Sequence, residues 1–306
     1  LVGFAGGFST GAGVVISQYY GSGDKENVRK SVHTFILFMF ILSIALSLLG
    51  VALTPFLIKI IKAPPEVAKE EYIYLTIYFS GISGLLLYNM GSAIFRAVGN
   101  SQLPFIFLVV SACLNIIMDL VFVIVLKMGT SGVALATIIS QAISALLVLG
   151  ALKITQSQVS FKFRELKINW KILSRIIFIG LPSAIQMAVT AFSNVFVQSY
   201  INQFGADVMG GWTAYNKVDQ IIFLPMQCMG LAAMTFVGQN YGAGNIKRAK
   251  RGADISLLSA LTSTLILVVP VITLAPHVVT FFINGEDEVI KYGTLFLRML
   301  SPFYLL

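Results

Sequence analysis

Long uncharged stretches alternate with short charged ones along the whole chain. Uncharged runs cover 1–23, 34–58, 72–95, 97–118, 128–152, 176–206, 220–246 and 255–285. A helix needs about 20 apolar residues to cross a hydrocarbon core of about 30 Å. Every run reaches that length, and none shows the strict alternation of a barrel strand, so helices are predicted rather than strands. The pattern predicts nine helices, at about 1–17, 32–54, 72–95, 103–126, 131–152, 173–200, 208–238, 253–281 and 289–306. The fold class that follows is an all-α polytopic membrane protein.

Composition removes the alternatives. Only 11% of the 306 residues are charged and 57% are hydrophobic. A soluble domain is about 25% charged, so a water-exposed globule is excluded, and the chain is too apolar for disorder. Cys113 and Cys228 both fall inside apolar runs and read as small packing residues with no disulfide implied. The first run has no basic lead-in, so no signal peptide is expected.

Charge sets an orientation. Lys25, Arg29 and Lys30, Arg96, the Lys/Arg residues of 153–175, and Lys247, Arg248, Lys250 and Arg251 all fall in one alternate set of loops. The opposite set is poorer in bases and holds Glu66, Glu70, Glu71, Asp207, Glu286, Asp287 and Glu288. The positive-inside rule places the first set in the cytoplasm. This explains the net charge of +8 through lipid, and no nucleic-acid partner is expected.

The chain repeats itself. Ile16–Gly23 reads ISQYYGSG and Val237–Gly244 reads VGQNYGAG, a shift of 221 residues. At that shift Arg29-Lys30 meets Lys250-Arg251, and Pro55 meets Pro276. Both motifs end a helix before a basic loop, so the copies are expected to be parallel, related by an axis along the membrane normal. Two full copies would need about 440 residues and twelve helices. The expected organisation is two pseudo-symmetric six-helix lobes, both incomplete here. The N-terminal lobe is 1–152, without its first helix and part of its second. A cytoplasmic linker covers 153–172, with Val159, Phe161, Phe163 and Trp170 resting at the interface. The C-terminal lobe is 173–306, without its last two helices.

A few polar residues stand out in the apolar runs. Gln186, Thr190, Asn194 and Gln198 recur every four residues and form one stripe on a helix. Such a stripe lines a wet cavity or supplies interhelical hydrogen bonds. Asp219 lies about 20 residues before the second turn motif, at 1.5 Å per residue far from that surface. It is a candidate for binding a cation or proton, or for pairing with Lys217. Asp119 and Asn115 form an i, i+4 pair, either a second coupling candidate or a structural network near a helix end. Met226, Met229 and Met234 suit a promiscuous surface or ordinary packing. Tyr215 and Trp212 offer cation–π faces or pack in a core. Gly3, Gly7 and Gly11 have the spacing of a close helix contact. The Gly-x-Gly turns lack the strand and the Gly-Lys-Ser/Thr ending of a phosphate loop, and read as helix ends. His33 and His277 read as interfacial. No metal cluster, catalytic triad or cofactor motif is visible, so no enzyme is expected and the metal content is left open.

The paired Gln-x-Tyr-Gly-x-Gly turns, with Phe95–Asn100 (FRAVGN) and Gly180-Leu181-Pro182, resemble the multidrug and toxic compound extrusion family across the whole chain. The resemblance implies two lobes around a central cavity, and export of small organic cations against inward sodium ions or protons by alternating access. It implies a multi-pass protein of the plasma or inner membrane, with the lipid bilayer as its surroundings; a monomer is expected. The cavity residues would be Gln186, Thr190, Asn194, Gln198, Tyr215 and Met226. The coupling candidates would be Asp219, Asp119 and Asn115. Some relatives carry a glutamate eight residues after the Pro of Gly-x-Pro, where this chain has Thr190. A flippase of lipid-linked saccharides, with a similar two-lobe plan, is the alternative. It would require several cavity Arg or Lys residues, and apart from those assigned to the loops or the outer surface, such as Arg175 and Lys217, only Arg298 is read as lying in a membrane span.

Overall fold

The computed structural model describes residues 2–61, 65–155, 158–283 and 287–305, with the side chains of 59–61, 65–67 and Phe163 outside that description. Among the described residues all regular structure is helical: α1 (Val2–Gly21), α2 (Lys25–Ile61), α3 (Pro65–Ala97), α4 (Gln102–Leu120), α5 (Thr130–Ile154), α6 (Trp170–Ile201), α7 (Ala206–Gly242), α8 (Ile246–Thr273), α9 (Ala275–Phe282) and α10 (Asp287–Leu300). Helices satisfy their own backbone groups, as a membrane segment must. Seven of them, α2 to α8, are long and apolar enough to cross a membrane. The glycines and hydroxyls of α1 keep it outside that set, and α10 has only 14 residues.

Each of the nine predicted segments is helical, the eighth as two helices, and most extend past the predicted ends. The charged residues mark where a span leaves the bilayer, not where the helix stops. Thus α2 begins at Lys25 rather than 32, and α8 begins at Ile246 rather than 253.

The repeat is built in three dimensions. In the first copy Gly23 (φ 73°) receives the chain from α1, and its N–H donates to the Tyr20 carbonyl (3.1 Å). In the second, Gly244 (φ 75°) follows α7, and its N–H donates to the Tyr241 carbonyl (3.0 Å). A positive φ suits glycine because it has no Cβ. The next donors match too: Asp24 N–H to the Tyr19 carbonyl (3.1 Å) and Asn245 N–H to the Asn240 carbonyl (2.9 Å). At the same shift Lys25 and Ile61, the ends of α2, map onto Ile246 and Phe282, the outer ends of α8 and α9. The predicted eighth helix is therefore two, divided at Leu274. Pro270 stands where the first copy has Leu49, so the second copy has an extra proline one turn before the break. Each proline removes a backbone bond and crowds the preceding turn. One proline leaves α2 continuous; two open the chain at Leu274.

The caps of α2 and α8 differ in charge. Asp24 Oδ1 accepts from Asn27 N–H (3.0 Å), and its Oδ2 accepts from Asn27 Nδ2 (2.6 Å). These bonds from Asn27 hold the Asp24 carboxyl below its usual value. Asn245 Oδ1 accepts from Arg248 N–H (3.2 Å) without a titrating group. A lowered folded pKa means stabilisation that is present above the unfolded value and lost as pH falls through the folded one. Below about pH 4, near the ordinary aspartate value, amide exchange at Asn27 is expected to speed up relative to Arg248. Equal acid responses of the two amides would show that Asp24 does not hold its helix through charge.

The chain divides into two compact units, 1–188 and 189–306. In the first, α1 is buried on most sides, against α2, α3 and the first half of α6. A Cβ on Gly7 would lie 2.2 Å from the Ala184 nitrogen, and one on Gly11 would lie 2.5 Å from the Ile176 oxygen. The predicted small-residue stripe is thus a backbone-to-backbone crossing of α1 on α6. Arg175 of α6 donates to Gln18 and to the Tyr19 hydroxyl (3.3 Å), which ties down the end of α1.

Three smaller expectations are corrected. Val159 and Phe161 are 1% and 2% exposed and join the core of the first unit; only Trp170 is open, and Phe163's side chain lies outside the described residues. His33 is buried rather than interfacial, whereas His277 is exposed. Cys113 and Cys228 are free and exposed rather than packed.

Candidate functional site

The polar candidates fall into three groups. The first is the α6 stripe. From Ile185 to Val197 every residue of α6 is exposed, so Gln186, Thr190 and Asn194 are not buried between neighbouring helices. Gln198 is half-buried and donates from Nε2 to Asn202 Oδ1 (2.8 Å), a bond to its own next turn.

The second lies in the first unit. Ser111, Asn115 and Asp119 follow one another at i, i+4 and i+8 on α4, and therefore share a face. Ser111 Oγ donates to the Ser140 carbonyl of α5 (2.7 Å), which brings that face against α5. Asn115 Nδ2 and Asp119 Oδ1 are buried and have no hydrogen-bond partner among the described residues. The expected alternative, a structural network at a helix end, is therefore not formed by these atoms. Gln141, next to Ser140, also buries an unpartnered Oε1; the sequence alone gave no reason to select it. A buried polar group without a partner costs about 1–3 kcal/mol, so these three, among eleven such atoms in the described residues, are places for a ligand or water. Directly after Asp119 the chain makes a π-helical turn, Val121–Val125, a distortion common at functional sites. A cavity of about 300 Å³ opens beside the carboxylate, lined by Ile116, Asp119, Leu120, Val123 and Ile124.

The third lies in the second unit. Gly211 of α7 meets Gly293 of α10 closely enough that a Cβ would lie 2.6 Å from the Gly293 nitrogen. This crossing places Tyr215 and Asp219, one and two turns further along α7, near the end of the chain. Asp219 Oδ1 accepts from the Tyr215 hydroxyl (3.3 Å) and from the Tyr304 hydroxyl, and the two hydroxyls lie 2.9 Å apart. The partners of Asp219 are thus two tyrosines and not Lys217. Tyr215 is 8% exposed and packs in tilted contact with Trp212 and Phe296 at ring separations of 4.9 and 6.4 Å. Its ring is buried and its hydroxyl bonded, which puts it in the carboxylate network rather than on an open cavity wall. Tyr304 was not singled out from the sequence, because nothing in a Ser-Pro-Phe-Tyr run marks one hydroxyl for a carboxylate 85 residues away. Met226, Met229 and Met234 are half-buried on α7. Among the described residues, no group of three or more His, Cys, Asp or Glu could hold a metal ion.

Stacked apolar helices, a duplicated half and polar groups held inside spans define a polytopic transport-type membrane protein. The sequence profile of the MatE family matches residues 1–121 and 182–306, and the chain belongs to that family of transporters. It is a multi-pass protein of the cell membrane. It is 29% identical over 304 residues to the probable multidrug resistance protein YpnP of Bacillus subtilis, covering 99% of this chain and 68% of that one. It is 23% identical over 311 residues to a protein named FAD transporter from Shewanella oneidensis, covering 99% and 67%. Its fold matches the outward-facing structure of a multidrug resistance MATE family transporter with a TM-score of 0.91 at 23% identity, over 99% of this chain and 68% of that one. The chain thus spans about two thirds of the length of the curated relatives it matches.

Proposed function

We propose that the chain forms most of a secondary antiporter that exports organic cations in exchange for inward sodium ions or protons by alternating access. The observation that carries this reading is the buried, unpartnered pair of Asn115 Nδ2 and Asp119 Oδ1 inside a membrane span. A carboxylate at a helix centre costs about 2.5–3.5 kcal/mol on insertion scales; Asp119, nearer the Val125 end of its span, bears part of that cost, which an incoming cation or proton would offset. Asp219, held by Tyr215 and Tyr304, is the second coupling candidate. Neutralising either acid alters the balance between two states only if the ion binds one state better.

The exported cation would meet the α6 stripe of Gln186, Thr190, Asn194 and Gln198, with Met226 as an adaptable contact. The stripe and the two acids would belong to two six-helix lobes, 1–152 and 173–306 in part, joined by 153–172. The antiporter would work as a monomer, without a cofactor.

Proteoliposomes carrying the full-length protein and preloaded with ethidium are expected to lose dye faster when a sodium or proton gradient is imposed. Gln186→Leu with Asn194→Leu should slow export about 5- to 30-fold, corresponding to one or two lost hydrogen bonds of about 1 kcal/mol. Unchanged export would remove the stripe from the pathway. A relative named FAD transporter makes an anionic dinucleotide the competing cargo. Among the described residues the basic side chains of the spans lie near span ends, apart from Lys217 of α7, and this shortage favours cations. Flavin dinucleotide movement without ethidium movement would overturn the organic-cation reading.

A further inference from the structure

The segment between the two repeats is not a loose tether. Its residues 158–169 are fastened across the first turns of α2, within the first unit. Lys162 N–H donates to His33 Nε2 (3.3 Å). The His33 proton is therefore on Nδ1, which donates to the Arg29 carbonyl (2.8 Å). Asn169 N–H donates to Thr34 Oγ1 (3.1 Å), and the Thr34 hydroxyl donates to the Lys167 carbonyl (3.4 Å). Glu165 pairs with Arg29.

Under this strap lies a cavity of about 460 Å³, lined by Glu26, Arg29, Lys30, His33, Lys167 and Asn169 among others. Its charges do not cancel. Glu165 is paired with Arg29 and Glu26 with Lys30, which leaves Lys167 unbalanced. Arg29 has five N–H donors and uses only part of them on one carboxylate. Asn169 spends its Oδ1 on the Ile172 N–H (3.2 Å) and keeps its amide hydrogens. The lining thus combines the Arg29, Lys30, Lys167 and Asn169 donors with the Glu26 and Glu165 carboxylates and keeps one excess positive charge, which suits a phosphate. Trp170, next in sequence to Asn169, is 75% exposed, and Phe178, two turns further along α6, is 80% exposed. An open Trp at a helix end marks the headgroup level of a bilayer.

We propose that this cavity binds a phosphate group, supplied by the headgroup of an anionic phospholipid in the leaflet at the basic end of α2. Its occupation fastens the strap. The repeat provides a built-in control. Lys250 and Arg251 occupy the places of Arg29 and Lys30 in the second copy. They carry the same charge at exposed positions of α8.

The test is tryptic cleavage after Arg164 of the full-length protein in nanodiscs. It depends on neither the transported cargo nor the coupling ion. Phosphatidylglycerol added to phosphatidylcholine discs is expected to slow cleavage about tenfold, the protection given by a ligand at about ten times its Kd. Lys30→Gln with Lys167→Gln should lose that protection, while Lys250→Gln with Arg251→Gln should keep it. Inorganic phosphate in phosphatidylcholine discs separates the sources. Protection by inorganic phosphate but not by phosphatidylglycerol would uphold the phosphate site and overturn its lipid origin. No protection by either, or equal loss in both double variants, would overturn the site itself.

Discussion

Asp119→Asn is expected to cut gradient-driven dye efflux 5- to 150-fold, the range of coupling energies of about 1–3 kcal/mol. The substitution keeps the shape of the side chain and removes its ability to take up a cation or proton. Since Asp119 Oδ1 is buried and unpartnered, no ion pair is broken, and insertion of the helix should become easier rather than harder. Equilibrium binding of dye to the purified protein should change little, because the change falls on coupling. Asp219→Asn should have a smaller effect, since Tyr215 and Tyr304 can still donate to the amide oxygen. The measurement is efflux rate against imposed gradient for each variant. Asp119→Asn efflux that still follows the gradient as wild type does would remove Asp119 from the coupling path.

The second large effect concerns folding. In Gly7→Ala the new Cβ would fall 2.2 Å from the Ala184 nitrogen and 2.3 Å from its Cα. A Cβ has no rotamer by which to escape, so the backbone of α1 or α6 must move. Overpacking of this kind costs about 1–3 kcal/mol, occasionally more. Gly150→Ala is the matched control, because nothing lies within 4 Å of its Cβ position in α5. There, alanine should stabilise the helix by about 0.5–1 kcal/mol. Thermal unfolding in detergent should move the two variants in opposite directions. A Gly7→Ala protein that melts with wild type would mean that α1 and α6 do not cross at this glycine.

Helix positions were legible because each bilayer crossing leaves a long uncharged run, and the repeat was legible because Gly23 and Gly244 cannot be replaced cheaply at positive φ. The α1 crossing on α6 was half legible: the spacing of Gly3, Gly7 and Gly11 announced a close contact but not its partner. The break at Leu274 escaped because a proline in an apolar run marks a possible kink without fixing its size. Of the polar candidates, Asp119 and Asn115 were visible by type and spacing. Their lack of partners depends on α5, which no local pattern in α4 records. The Tyr304 contact and the buried linker residues were hidden for the same reason. Val159 and Phe161 look like residues for an interface until the helices they cover are in place.

Those two residues also bear on how the chain is made. A nascent polypeptide that has emerged from the ribosome only as far as 152 carries α1 to most of α5, yet lacks Val159, Phe161, Ile172, Ile176 and Ala184, all members of the first unit's hydrophobic core. Domains tend to fold in order of synthesis, but this unit cannot close when its own repeat ends. It must wait for about 36 further residues, two to seven seconds of translation at about 5–20 residues per second. During that interval α1 has no α6 to lie against, and the glycine face is open to whatever else the insertion machinery holds beside it.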